Sequence, residues 1–218
     1  MRKKALIFDM DNTILHSRID YVQMKWVTFD FLRKKEYYAP DFDYDARTTS
    51  QLVDDVRADG RLKPEDEAQV WDLIEKVERE GMRLAEAEPG AVGVLAALSK
   101  DYYINVLTNN ARAGSVLALA HSGLAPYIDL VISRNEVEKL KPDAAGARLL
   151  LGKYPEIRKE SWIYVGDFWA DGAAAKGVDI KFVAYRGNRT QMEEMGVPVW
   201  QYINDLAELL PILAMGSQ

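Results

Sequence analysis

Cysteine is absent from the 218 residues, which excludes disulfides, thiol nucleophiles and cysteine-ligated zinc. Histidine is nearly absent. His16 and His121 are too few for a histidine-rich centre, so any metal must be held by oxygen, which points to magnesium or a similar hard cation. There is no block of lysine and arginine, and the net charge is −6, from 28 basic and 34 acidic residues. Nucleic acid is therefore not an expected partner. Long apolar runs are also missing. The N-terminal run stops at Asp9, too short for a signal-peptide core or a membrane span, and a cytoplasmic protein away from membranes is expected. No internal repeat or low-complexity segment is seen.

What is present is ordinary for a soluble domain with a real core: 48% hydrophobic and 28% charged residues. The length suits one large domain or a core domain with a smaller insert. The organising stretch is KKALIFDMDNT, residues 3–13. Ala5, Leu6, Ile7 and Phe8 form an unbroken apolar run, as in a strand buried on both faces of a parallel sheet. It ends in Asp9 and Asp11, where open α/β sheets place their ligands. Alternation along an extended strand puts the two carboxylates roughly on one side, close enough to share a cation. Their mutual repulsion calls for positive charge between them.

After residue 17 the spacing turns helical. Helices are predicted over 20–38, with Val22, Trp26, Phe29, Phe31 and Leu32 on the apolar side, over 49–58 ending at Gly60, and over 64–87. Pro64 and the acids Glu65, Asp66 and Glu67 suit a helix first turn. Nothing between residues 18 and 87 reads as a strand. Trp26 and Phe29 read as core of this insert rather than as a pocket wall. From Pro89 onward helix and strand alternate. Helices are predicted over 91–99, 112–121, 144–151, 170–175, 190–195 and 206–213; strands over 102–107, 129–132, 162–165, 180–185 and 197–200. This pattern implies an α/β protein with a doubly wound, mostly parallel sheet. Residues 215–218 are expected to be frayed.

Four strand ends carry polar groups that could meet: Asp9 with Asp11; Thr108-Asn109-Asn110; Lys141 ahead of Pro142; and Gly166-Asp167 with Asp171. Each alone has a plain structural reading, as a helix cap, a loop lysine or helix-start acids. In this order, each near the end of its own strand, the set resembles the haloacid dehalogenase-like (HAD) superfamily. The likeness is to its phosphatases with a helical cap inserted after the first strand, of the phosphoglycolate phosphatase kind. It runs from Lys4 to about Tyr185, with Asp-x-Asp-x-Thr at residues 9–13, Thr108, Lys141, and Gly-Asp-x-x-x-Asp at 166–171. The usual glycine of the first motif is replaced by Asn12, the residue after glycine most tolerant of left-handed backbone. His16-Ser17 replaces a common Asp-Ser, so no role passes to His16, which reads as a local or hinge residue.

The resemblance implies a Rossmann-like core, residues 1–17 and 88–218, and a helical cap, residues 18–87. It implies Mg²⁺ as cofactor, held by Asp9, the Asp11 carbonyl, Asp167 and Asp171. Asp9 would be the nucleophile and Asp11 the general acid and base. Lys141 would neutralise phosphate charge and steady Asp9; Thr108 and the Asn109 amide would bind phosphate oxygens. Arg47, in a cap loop, is a candidate substrate contact. A site this negative is expected to keep one carboxyl protonated, with Asp11 as its holder. The implied partner is a small phosphorylated metabolite, and the chain a monomer or homodimer. Alternatives are a phosphomutase of the same superfamily or a non-catalytic phosphate-binding regulator.

Overall fold

The computed structural model describes residues 4–215; Lys3 and the tail beyond Met215 lie outside them. In chain order the elements are β1 (Lys4–Phe8), β2 (Leu15–His16), α1 (Tyr21–Lys34), α2 (Thr49–Ala58), α3 (Pro64–Met82), β3 (Glu86–Ala87) and α4 (Ala91–Leu98). There follow β4 (Tyr102–Leu107), α5 (Arg112–His121), β5 (Leu130–Ile132), α6 (Ala145–Lys153), β6 (Trp162–Gly166) and α7 (Trp169–Lys176). The chain ends with β7 (Lys181–Tyr185), α8 (Arg189–Glu194), β8 (Gln201–Ile203) and α9 (Leu209–Met215). It divides into two units, Met1–Ser17 with Ala85–Gln218, and Arg18–Leu84. No described helix is long and apolar enough to cross a membrane.

The first unit is built on a six-stranded sheet in the order β5-β4-β1-β6-β7-β8, parallel at every pairing. Its central strand is the apolar run seen in the sequence: Ala5, Leu6, Ile7 and Phe8 are fully buried. Phe8 faces Val106 of β4 on one side and Val165 of β6 on the other. The chain moves outward from β1 to β4 and β5, then returns to the opposite side of β1 at β6. That reversal makes the carboxyl ends of β1 and β6 the switch point where such sheets bind ligands. The ladder continues past the strand end, with the Asp9 N–H donating to Val165 O at 2.9 Å. The first motif is therefore anchored to the neighbouring strand. Asn12 stands at φ 55°, the left-handed conformation expected of it.

The second unit is helical. Asp20 caps α1 by accepting from Gln23 N at 2.8 Å, and Thr48 and Gln51 form a reciprocal capping box on α2. Phe29 is buried and stacks on Tyr44, ring centroids 4.4 Å apart, with Tyr38 and Phe42 beside it. Phe29 thus belongs to the core of this unit.

Several boundaries differ from the sequence reading. α1 stops at Lys34 rather than residue 38, because Glu36 turns to φ 63°. Val22 is 83% and Trp26 47% exposed, and the buried stripe of α1 is instead Met24, Thr28, Phe29 and Leu32. α3 ends at Met82, and the chain then extends into β3, which pairs antiparallel with β2. So there is a strand within the stretch read as purely helical. His16 lies in that pair, opposite Glu86. The last strand is β8 at Gln201–Ile203, not 197–200. Pro198 has no donor for a ladder, and pairing begins with Trp200 N–H donating to Phe182 O at 2.8 Å.

Candidate active site

The site is assembled wholly within the first unit. Lys141 enters it buried, with three acceptors for its ammonium: Asp9 Oδ1 at 2.5 Å, Asp171 Oδ1 at 2.7 Å and Leu107 O at 3.1 Å. Burial alone would push the ammonium down, but Asp171 and Asp9 outweigh it and hold Lys141 well above the ordinary lysine value. It is a permanent cation. Burial, with the charges of Asp171 and Asp167, pushes Asp9 well above the usual carboxylate range, even against the downward pull of Lys141. Asp167 moves the same way, to about 7, again chiefly through burial and Asp171. The upward pressure falls on Asp9 and Asp167, which face Asp171.

Asp171 is reached by several donors. Oδ1 accepts from Lys141 and from the buried Tyr164 hydroxyl at 3.2 Å, and Oδ2 from Phe168 N–H at 3.1 Å. Gly166 makes room for this. A Cβ there would stand 2.5 Å from Asp171 Oδ2, so only glycine lets that carboxylate lie against the end of β6. Asp167 accepts from the Thr13 hydroxyl at 3.3 Å, which ties the first motif to the fourth.

Oxygen atoms of Asp9, Asp167 and Asp171 lie within 4.8 Å of one another. Three carboxylates with one lysine among them form an all-oxygen donor set, and the raised proton affinities of Asp9 and Asp167 mark a shortage of positive charge. A small divalent cation fits both facts.

The loop after β4 supplies two further constraints. Asn109 spends its side chain on the backbone of Lys141: Nδ2 donates to Lys141 O and Oδ1 accepts from Lys141 N–H, each at 2.9 Å. What Asn109 offers a ligand is thus its backbone. Asn109→Ala is expected to cost roughly 1–3 kcal/mol of stability by leaving both Lys141 groups without this partner; urea denaturation of variant and parent measures it. Asn110 donates through Nδ2 to Asp11 Oδ2, and its N–H donates to Thr108 Oγ1 at 3.1 Å. Asp11 and Thr108 are thereby drawn to the same loop.

Asp9, Asp11, Thr108, Lys141, Asp167 and Asp171 are all brought together at the carboxyl ends of β1, β4 and β6. Arg47 belongs to the second unit, where it pairs with Asp55 at 2.9 Å. The contacts made by Asn110, Tyr164 and Thr13 were not foreseen from the sequence. Thr13 stood inside a recognised motif and Asn110 at a polar strand end with no partner assigned to it; nothing in the local pattern marked Tyr164.

The haloacid dehalogenase-like hydrolase model matches residues 6–185. The chain is 31% identical over 106 residues to the plasmid phosphoglycolate phosphatase of Cupriavidus necator, a match spanning 47% of this chain and 46% of that protein. It is 27% identical over 191 residues to the phosphoglycolate phosphatase of Rhodobacter capsulatus, covering 83% of each. Among solved structures, a HAD-type hydrolase from Bacillus subtilis bound to magnesium superposes with a TM-score of 0.64 at 18% identity, covering 98% of this chain and 99% of that one.

Proposed function

Because the chain belongs to the haloacid dehalogenase-like hydrolase family, we propose that it is a Mg²⁺-dependent phosphatase acting on a small phosphate monoester. The observation that carries this reading is the buried Lys141 ammonium bonded to Asp9, with Asp167 and Asp171 gathered around the same point. A lysine so placed orients one carboxylate oxygen of Asp9 and offsets negative charge that an incoming phosphate brings.

Asp9 is the nucleophile. Its carboxylate attacks phosphorus, the bond from phosphorus to the leaving oxygen breaks, and an aspartyl-phosphate forms. Asp11 gives its proton to the leaving oxygen. It then takes one from the water that attacks the aspartyl-phosphate, which frees inorganic phosphate and restores Asp9. The Thr108 hydroxyl and the Asn109 N–H bind phosphate oxygens. Mg²⁺, when held by Asp9, Asp167 and Asp171 with the Asp11 carbonyl, supplies the charge that keeps these carboxylates ionised and draws the phosphate to Asp9. Arg47 contacts substrate only if it exchanges Asp55 for a substrate anion.

The relatives' activity makes phosphoglycolate the first substrate to try. Release of inorganic phosphate from phosphoglycolate, a sugar phosphate, a nucleoside monophosphate and an aryl phosphate tests the reading. Turnover with Mg²⁺ on at least one ester, abolished by EDTA, is expected. No phosphate from any ester would overturn it, in favour of a phosphate-binding regulator. An isomeric sugar phosphate formed without phosphate release would make the chain a phosphomutase.

A further inference from the structure

Asp11 and Asn110 lie 99 residues apart in sequence, yet the Asn110 amide is aimed at the Asp11 carboxylate. The loop carrying Asp11 is closed by its own backbone. Ile14 N–H and Leu15 N–H both donate to Met10 O, at 3.0 and 2.9 Å, and Asn12 N–H donates to Leu15 O at 2.7 Å. These bonds fix where the Asp11 backbone sits; they do not choose its rotamer. Asp11 is buried, yet its backbone alone leaves more than one side-chain orientation open, and a proton donor must point one way to work.

Asn110 is built to choose. It is 8% exposed. Its N–H donates to Thr108 Oγ1 at 3.1 Å and its carbonyl accepts from Arg134 N–H at 3.1 Å. With its backbone tied on both sides, the side-chain amide has a fixed origin and little room to swing. Its NH₂ donor reaches Asp11 Oδ2. The neighbouring asparagine cannot share this task, since both polar atoms of its side chain are taken by the Lys141 backbone.

We propose that Asn110 is a positioning residue for Asp11, holding its carboxyl group through one oxygen in the orientation from which it protonates the leaving group. It touches neither substrate nor phosphorus. This inference rests on the phosphatase reading and adds to it the group that sets the geometry of protonation.

General-acid assistance matters when the leaving oxygen is basic and matters little when it departs readily as an anion. A purely structural asparagine would affect both kinds of ester alike. The test is kcat/KM, which covers the steps through phosphoryl transfer onto Asp9. It is measured for wild type, Asn110→Ala and the shape-preserving Asn110→Leu. The substrates are p-nitrophenyl phosphate and the alkyl phosphate that wild type hydrolyses best, with thermal midpoints recorded for each protein.

In both variants kcat/KM on the alkyl ester is expected to fall roughly 10- to 100-fold, and on the aryl ester no more than about threefold. In an Asp11→Asn background the Asn110→Ala loss on the alkyl ester is expected to shrink to about twofold or less, as for two residues acting through one step. Equal losses on both esters, or no loss on either, in an enzyme whose wild type turns over both, would overturn the inference and leave the phosphatase reading standing. A wild type inactive on both would overturn the two together.

Discussion

Asp9→Asn is expected to lower turnover of the best ester on the order of 10⁴-fold or more, the scale on which loss of a nucleophile is felt. The amide has the size of the carboxylate but cannot attack phosphorus. Nor should the fold suffer. Lys141 keeps Asp171 at 2.7 Å and Leu107 O at 3.1 Å, so no buried cation is stranded. Asp9 is moreover a carboxyl that burial and its acidic neighbours push upward. Removing its charge relieves repulsion, and the metal-free thermal midpoint at neutral pH should be unchanged or higher. Phosphate release paired with a melting curve separates the outcomes. Near-normal turnover in a folded variant would remove Asp9 from its role.

Magnesium should bind more tightly as pH rises. Asp167 holds its proton up to about 7 in the folded protein, against 3.8 for the free side chain, and Asp9 is shifted in the same direction. The folded state therefore binds more protons than the unfolded state between these values. The contribution of Asp167 to the stability of the metal-free protein should fall as pH rises from about 4 to 7, and Asp9 acts in the same direction. A divalent cation competes with those same protons. Its apparent affinity is expected to drop by up to about tenfold per pH unit below 7, and its effect on the melting point to be far larger at pH 8 than at pH 5. Melting curves with and without Mg²⁺ across that range check both signs. Equal stabilisation at pH 5 and pH 8 would show that the cation does not meet these carboxylates.

Much of this was legible in the amino-acid sequence because it is local. The run from Ala5 to Phe8 can only be a buried strand, and the acids that follow it fall at the ligand-binding end of the sheet. Asn12 announced its left-handed turn through its chemistry. Strand β4 and helix α5 were readable to the residue, since periodicity and a following Gly123 agree. The remainder depends on distance in the chain. Val22 and Trp26 share the helical spacing of the buried stripe, yet they stand exposed, and spacing alone does not say which side of α1 is covered. β3 is two residues long and exists only through its pairing with β2, a partner remote in sequence. Asn110 has the same difficulty: an asparagine beside an asparagine is unremarkable until Asp11 is folded against it. Tyr164 reads as one more apolar strand residue, and only the approach of Asp171 gives its hydroxyl a purpose.

The claim on which all of this stands is that Asp9 carries the phosphoryl group. Acid-quenching the enzyme during turnover, digesting it and sequencing the phosphorylated peptide by mass spectrometry addresses it directly. The modification is expected on Asp9 in wild type and nowhere in Asp9→Asn. A phosphoryl group found on another side chain, or an adduct that persists in Asp9→Asn, would contradict it.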